Sequence, residues 1–273
     1  MNDPSDPAAV VQRQLEGPEP GHVRTRIGLL VPAGNTTFEP DFYSVLPAGV
    51  TLHATRIYSR EDHPYESEAK FDAVNAGVPE SSQALARARP AVIAYGITSG
   101  SFYRGLAYAD ELQQTIATHG QAKAVVPSLA ILEALRALGA RSVSIVTPYP
   151  EWNNLVLRRF FEETSFRILN LMGDERPLEQ ARGNWLWDQP PAAIVEFVRK
   201  RCHPDADVLL CPCTAWRSFE VVDEIEAAVG KPVVTANQAT VWKTFHLIGQ
   251  PIAAGRGGTL FRRGREHTGH NIS

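Results

Sequence analysis

The sequence predicts an α/β protein of two similar lobes with parallel central sheets, related by a pseudo-two-fold, with a functional cleft between them. Three observations carry this reading. Short apolar runs rich in Val, Ile and Leu alternate with segments of helical periodicity, the signature of a parallel sheet covered by helices. The series of elements restarts near residue 142. The landmarks of the two series are also equally spaced, with 65 residues from Pro32 to Ile97 and 65 from Pro148 to Cys213.

Taken in order, "RIGLLVP" (26–32) is a strand stopped by Pro32 and the turn residues Ala33, Gly34 and Asn35. "TLHATRIY" (51–58) is a second strand, and "ESSQALARARP" (80–90) a helix ended by its proline. "AVIAYGI" (91–97) is a third strand, and "AYADELQQTIATHG" (107–120) a helix closed by Gly120. "KAVVP" (123–127) is a short strand before the helix "SLAILEALRALG", for which Ser128 is the expected N-cap. The second series opens with the strand "SVSIVTP" (142–148), which matches "RIGLLVP" in ending on a proline and a polar turn. The helix "EWNNLVLRRFFEE", the strand "SFRILNLMG" and the helix "PAAIVEFVRKRC" follow. "DVLLCPC" (207–213) is the next strand and "FEVVDEIEAAVG" its helix. "KPVVTANQATVWKTFHLIG" then echoes "KAVVPSLAILEALRALG" as strand, turn and helix.

These elements divide the chain into lobes 26–140 and 141–250. They are flanked by an arm (1–25) rich in Pro and polar residues and a basic tail (251–273), both expected to be disordered. The arm lacks the apolar core of a signal peptide. With 44% hydrophobic and 21% charged residues the chain has ordinary globular composition. A net charge of -3 gives no field for nucleic acid or an anionic membrane. No apolar run reaches the ~18 to 20 residues of a membrane span. Three cysteines, an odd number, argue against a disulfide framework and for the cytoplasm. The C-x-C pair Cys211 and Cys213 lacks a second pair, and the histidines have no ligand spacing, so no metal site is predicted. The Trp pair in "WLW" (185–187) reads as core or rim. A homo-oligomer is compatible with this composition.

Parallel sheets collect ligand groups at the carboxyl ends of their strands. The turns there carry Asn35, Thr36 and Thr37; Thr98, Ser99, Gly100 and Ser101; Tyr149 and Asn153; and Cys213 and Thr214. Asn237 occupies the corresponding turn of the last strand. Apart from the thiol these are uncharged hydroxyl and amide donors, which suit a carboxylate or an enolate. There is no GxGxxG and no Walker pattern, so a nucleotide is not expected. A lone cysteine at a strand end is ordinarily a small buried hydrophobe. The repeat lifts Cys213 above that reading, because it places the thiol opposite Thr98 and Ser99.

The turns "VPAGNTTFE", "GITSGSFYRG", "VTPYPEWNN", "LCPCTAWRS" and "TANQATVW" resemble those of the aspartate/glutamate racemase superfamily. Within it they resemble the branch of maleate cis-trans isomerases and arylmalonate decarboxylases. The resemblance covers about residues 26 to 250 and implies an enzyme with no metal and no cofactor, acting on a small dicarboxylate. It implies that Cys213 is one reacting thiol and that Ile97 stands where the isomerases carry a second. It further implies that Asn35 holds a substrate carboxylate, as in the isomerases, whereas "SFYRG" (101–105) and the single thiol match the decarboxylases. Ile97 can neither add to a double bond nor move a proton. The expectation is therefore a malonate-type decarboxylase in which Thr98, Ser99, Tyr149 and the Thr214 N–H stabilise an enediolate. Cys213 protonates it, and Asn35, Asn153, Asn237 and the Ile97 wall hold substrate. The alternatives are a maleate-type isomerase using Cys211 or Cys213, and a non-catalytic dicarboxylate-binding protein.

Overall fold

The computed structural model describes residues 24–57, 68–174, 188–253 and 257–268. Two four-stranded sheets form its centre. The first runs β2-β1-β3-β4, with β1 at Thr25–Pro32, β2 at Val50–Ile57, β3 at Val92–Tyr95 and β4 at Lys123–Val125. The second runs β6-β5-β7-β8, with β5 at Ser142–Val146, β6 at Arg167–Met172, β7 at Val208–Cys211 and β8 at Val233–Thr235. Every pairing is parallel, and the second order is the first advanced by four strands. The restart in the sequence is thus a restart of the fold.

The strand chemistry follows position in the sheet. In β3 (VIAY) and β7 (VLLC) all four residues are buried, as expected of inner parallel strands covered on both faces. The edge strands β2 (VTLHATRI) and β6 (RILNLM) are only half buried and tolerate His53, Thr55 and Asn170.

Eleven helices fill out the described residues: α1 Phe38–Tyr43, α2 Ala69–Ala76, α3 Val78–Ala86, α4 Thr98–Phe102, α5 Gly105–Gly120, α6 Pro127–Ala137, α7 Glu151–Glu162, α8 Pro191–Arg201, α9 Val222–Val229, α10 Ala236–Ile248 and α11 Gly258–Thr268. One hydrophobic cluster is continuous from the first sheet (Ile27, Leu29, Val92) through α6 (Ile131, Leu135) to the second sheet (Val143, Leu209, Val234). A second cluster, including Leu30, Val78, Ile93, Tyr95 and Ile116, lies under α3 and α5.

Four expectations are corrected. Ser128 is not the N-cap of α6, which is Val126; the Ser128 hydroxyl instead donates to the Ser101 carbonyl at 3.1 Å. Residues 98–102, read as a turn, form the short helix α4, and α1 and α2 lie where no helix was expected. The segment assigned to a disordered tail contains α11, whose Leu260 and Phe261 join the core. Thr25, assigned to the arm, begins β1. Residues 1–23 of that arm and the 185–187 Trp pair lie outside the described residues.

Candidate active site

Both inner strands release the chain at equivalent points. β3 ends at Tyr95 and β7 at Cys211, so Ile97 and Cys213 each stand two residues beyond a strand end. The two turns touch: the Thr214 hydroxyl donates to the Gly96 carbonyl at 2.7 Å. Asn35, from the turn after β1, points its amide nitrogen at the same carbonyl from 3.5 Å.

Contacts of this kind join the turns of both sheets. Asn153, in the first turn of α7, donates to the Ser99 hydroxyl at 2.9 Å. The Tyr149 hydroxyl donates to the Pro212 carbonyl, beside Cys213. Asn237, in the first turn of α10, donates to the Thr214 carbonyl at 3.0 Å. Among the residues expected at the site, Asn35, Thr98, Ser99, Tyr149, Asn153, Cys213, Thr214 and Asn237 are all buried, and Ile97 is half-buried. The Ile97 side chain packs against the cluster under α3 and α5 and lies close to Gly100, where an added Cβ would meet its Cγ2 at 3.1 Å.

Three side-chain oxygens here are buried without a hydrogen bond of normal geometry: Thr98 Oγ1, Asn153 Oδ1 and Asn237 Oδ1. Buried polar atoms in native proteins are normally paired, and exceptions concentrate where a ligand or water completes them. The Tyr149 phenol feels both the Ser99 and Thr98 hydroxyls, although Thr98 stays short of a true bond.

Burial dominates the ionisation of the site. It pushes the Cys213 thiol up to about 11, against the N–H groups of Ala215 and Trp216 and the Tyr149 hydroxyl, which favour the thiolate. Tyr149 is raised well above the usual phenol range, first by burial and then by the neighbouring Cys213. Both groups are therefore protonated at neutral pH. Among the described residues, no three His, Cys, Asp or Glu side chains are grouped to hold a metal ion.

The match to known proteins extends over nearly all of this architecture. The family model described as arylmalonate decarboxylase matches residues 27–261. The chain belongs to the arylmalonate decarboxylase family. It is 31% identical over 199 residues to the arylmalonate decarboxylase of Bordetella bronchiseptica, covering 70% of this chain and 79% of that protein. It is 28% identical over 249 residues to the maleate isomerase of Pseudomonas putida, covering 86% and 96%. A crystal structure of arylmalonate decarboxylase superposes with a TM-score of 0.70 at 26% identity, covering 87% of this chain and 99% of that one. The maleate cis-trans isomerase of Nocardia farcinica, bound to TRIS, gives 0.77 at 25% identity, covering 89% and 99%. The relatives are thus enzymes of two kinds, decarboxylases and isomerases.

The structure defines the surroundings of two further residues singled out in the sequence, Asn35 and Cys211. Asn35 uses its carbonyl oxygen within the protein, accepting from the N–H groups of Thr37 and Phe38 at 2.8 and 3.0 Å and so capping α1. Its amide nitrogen directs one N–H at the Gly96 carbonyl, which leaves the other N–H for a ligand. Cys211 is the last residue of β7, fully buried, with its thiol pushed up by that burial. The sequence reading placed Thr37 among the turn residues without its partner, and missed two further members of the network, Asp41 and Thr147. Thr37 donates to the Ala215 carbonyl at 3.1 Å, and the Asp41 carboxylate accepts from Asn237 at 2.6 Å. Thr147 accepts from the Tyr149 N–H at 3.1 Å and donates to Asn154 at 2.6 Å, fixing the tyrosine's turn. Thr37 was visible as a polar residue in the first turn; nothing local singled out Asp41.

Proposed function

We propose that this protein is a cofactor-independent decarboxylase of a malonate-like dicarboxylate. The observation that carries the reading is the pairing of one protonated thiol with an apolar partner. Cys213 is the one cysteine of three in the hydrogen-bonded network, and Ile97 occupies the equivalent position in the other sheet. A site with a single acid suits one-sided protonation of a carbanion. It does not suit racemisation, which needs a base on the opposite face.

The substrate's retained carboxylate lies against Thr98, Ser99, Tyr149 and the Thr214 N–H, with Asn35, Asn153 and Asn237 around it. The unpaired Thr98 hydroxyl is a donor available to an oxyanion, and the protonated Tyr149 phenol becomes one by turning its single O–H from the Pro212 carbonyl to the ligand. The departing carboxylate sits by Ile97, where poor solvation of the anion favours its loss as carbon dioxide. The electron pair of the broken C–C bond passes into the enediolate, which those donors stabilise, each by ~3 kcal/mol. Cys213 then delivers its S–H proton to the carbon, and the resulting thiolate regains a proton from water.

The maleate-type isomerase is the second reading, favoured by the second amide N–H of Asn35, beyond the one directed at the Gly96 carbonyl, and by the maleate isomerases among the relatives. A three-way assay separates the readings. Bicarbonate release from phenylmalonate supports the decarboxylase, and ultraviolet loss of maleate supports the isomerase. Dicarboxylate-induced melting shifts without turnover indicate a binding protein.

A further inference from the structure

The Cys213 loop is held by hydrogen bonds from the first turn of α10 and the start of α1. The Thr214 carbonyl accepts from Asn237 at 3.0 Å, and the same Asn237 amide nitrogen donates to Asp41 at 2.6 Å. A carbonyl and a carboxylate oxygen both accept from this one nitrogen, so the pair sets the amide's orientation. The next carbonyl, that of Ala215, accepts from Thr37 at 3.1 Å. Asp41 lies on α1 and Thr37 is its N-cap, so one short helix of the first lobe holds two successive peptides of the thiol loop. Asp41 and Asn237 are 2% and 1% exposed, so neither bond is shared with bulk solvent.

A trans peptide points its C=O and N–H in opposite directions. Drawing the Thr214 and Ala215 carbonyls toward α1 and α10 therefore turns the N–H groups of Ala215 and Trp216 the other way, and both of these N–H groups favour the Cys213 thiolate. The same Trp216 N–H also reaches the Cys213 carbonyl at 3.3 Å.

We propose that Thr37 and Asp41 are positioning residues for the thiol: through the Ala215 carbonyl and the Asn237–Thr214 link they aim two backbone N–H groups at the Cys213 sulfur. This keeps the thiol from becoming too weak an acid to give up its proton, against the burial that opposes ionisation. The inference deepens the reading of Cys213 as the reacting thiol and rests on it. The titratable group acting on Cys213 is the Tyr149 phenol; Cys211, two residues back in β7, feels Cys213, and the Asp41 carboxyl reaches the loop through Asn237. Asp41 also acts on Arg217, which pairs with Glu220 at 2.7 Å.

The test measures alkylation of Cys213 by iodoacetamide between pH 8 and 10 in a Cys202→Ala background, with Cys213→Ala as the blank. Loss of a hydrogen bond to an ionised group raises the thiol by about one pH unit, so Thr37→Val and Asp41→Ala should each react roughly tenfold more slowly at fixed pH. Thr37→Ser and Asp41→Asn, which keep a donor and an acceptor, should react as the parent does. A merely structural role gives the opposite sign, since a loosened loop exposes the sulfur and speeds alkylation. Unchanged or faster alkylation in folded Thr37→Val and Asp41→Ala overturns the proposal, and either variant suffices if the other does not fold. The assay requires no turnover. A tenfold loss in a protein inert to every malonate keeps the positioning role and removes only the decarboxylase reading.

Discussion

At the scale of single residues, the chemistry hangs on a protonated thiol and a few hydroxyls. Cys213→Ala should abolish carbon dioxide release while circular dichroism and melting remain close to wild type, because one small atom is lost from a buried position. Cys211→Ala and Cys202→Ala should keep their activity. Ser99→Ala and Tyr149→Phe should each lower kcat about 10²-fold if their hydroxyls meet charge only in the transition state. A rise in KM alone would reassign them to simple substrate binding. The pH dependence has a definite sign. Burial raises the Cys213 thiol to about 11, so the acid form persists through neutrality and is lost only as pH rises through that value. The kcat/KM profile should therefore show no alkaline limb near pH 8.5, the range of an ordinary thiol. A limb at that pH, absent when Cys213 is replaced in a partly active variant, would show the thiol to be more solvated than the structure has it. Most of these residues were legible from the sequence because they follow strand ends at matched spacing. Asp41 and the bond made by Thr37 were not, because the partners lie 196 and 178 residues away and no local pattern encodes such a bond.

At the scale of elements, strands and long helices were legible because apolar period and burial agree in them. The five-residue α4 was not, since Thr98–Phe102 is too short to show a period and is held by non-local bonds. Its Gly100 carbonyl accepts from Asn75 at 2.8 Å, and its Ser101 hydroxyl accepts from the Ser128 N–H at 3.2 Å. The α11 helix escaped for a different reason: its anchor is one buried carboxylate. Glu226 accepts from the N–H groups of Val233 and Thr259 at 3.0 and 2.9 Å and from Arg262 at 2.7 Å. Composition made this segment look like a basic tail, whereas its charge is partly neutralised at Glu226 and its Phe261 ring packs edge-on to Phe219, 5.6 Å between centroids. Glu226→Ala should cost about 3 kcal/mol, since it strands buried backbone donors and an arginine. Glu226→Gln should cost less, because an acceptor remains. Urea denaturation measures both, and equal losses in the two variants would mean that the charge, not the accepting geometry, holds α11.

At the scale of the whole molecule, the repeated strand order gives meaning to the isoleucine at 97. Two sheets of the same order place residues 97 and 213 in equivalent turns, and those turns are bonded to each other through Thr214 and the Gly96 carbonyl. A thiol introduced at 97 therefore joins the same site as Cys213, from the other lobe. Ile97→Cys is also sterically mild: it removes a branched side chain that crowds Gly100 and puts a smaller one in a half-buried position. With a thiolate on one face to take an α-proton and Cys213 on the other to return one, the variant should racemise an optically pure 2-arylpropionate that wild type leaves unchanged. Decarboxylation should slow, because the apolar wall that disfavours the leaving carboxylate has become polar. Incubating each protein with one enantiomer in deuterated water, and following α-deuterium and optical purity, reads both effects. Uptake with inversion in Ile97→Cys alone, and its disappearance in the Ile97→Cys, Cys213→Ala double variant, is the expected outcome. A folded Ile97→Cys variant with no exchange and unaltered decarboxylation would mean that residue 97 is turned wholly into the cluster under α3 and α5. The one-thiol chemistry would then have to owe its apolar wall to another side chain.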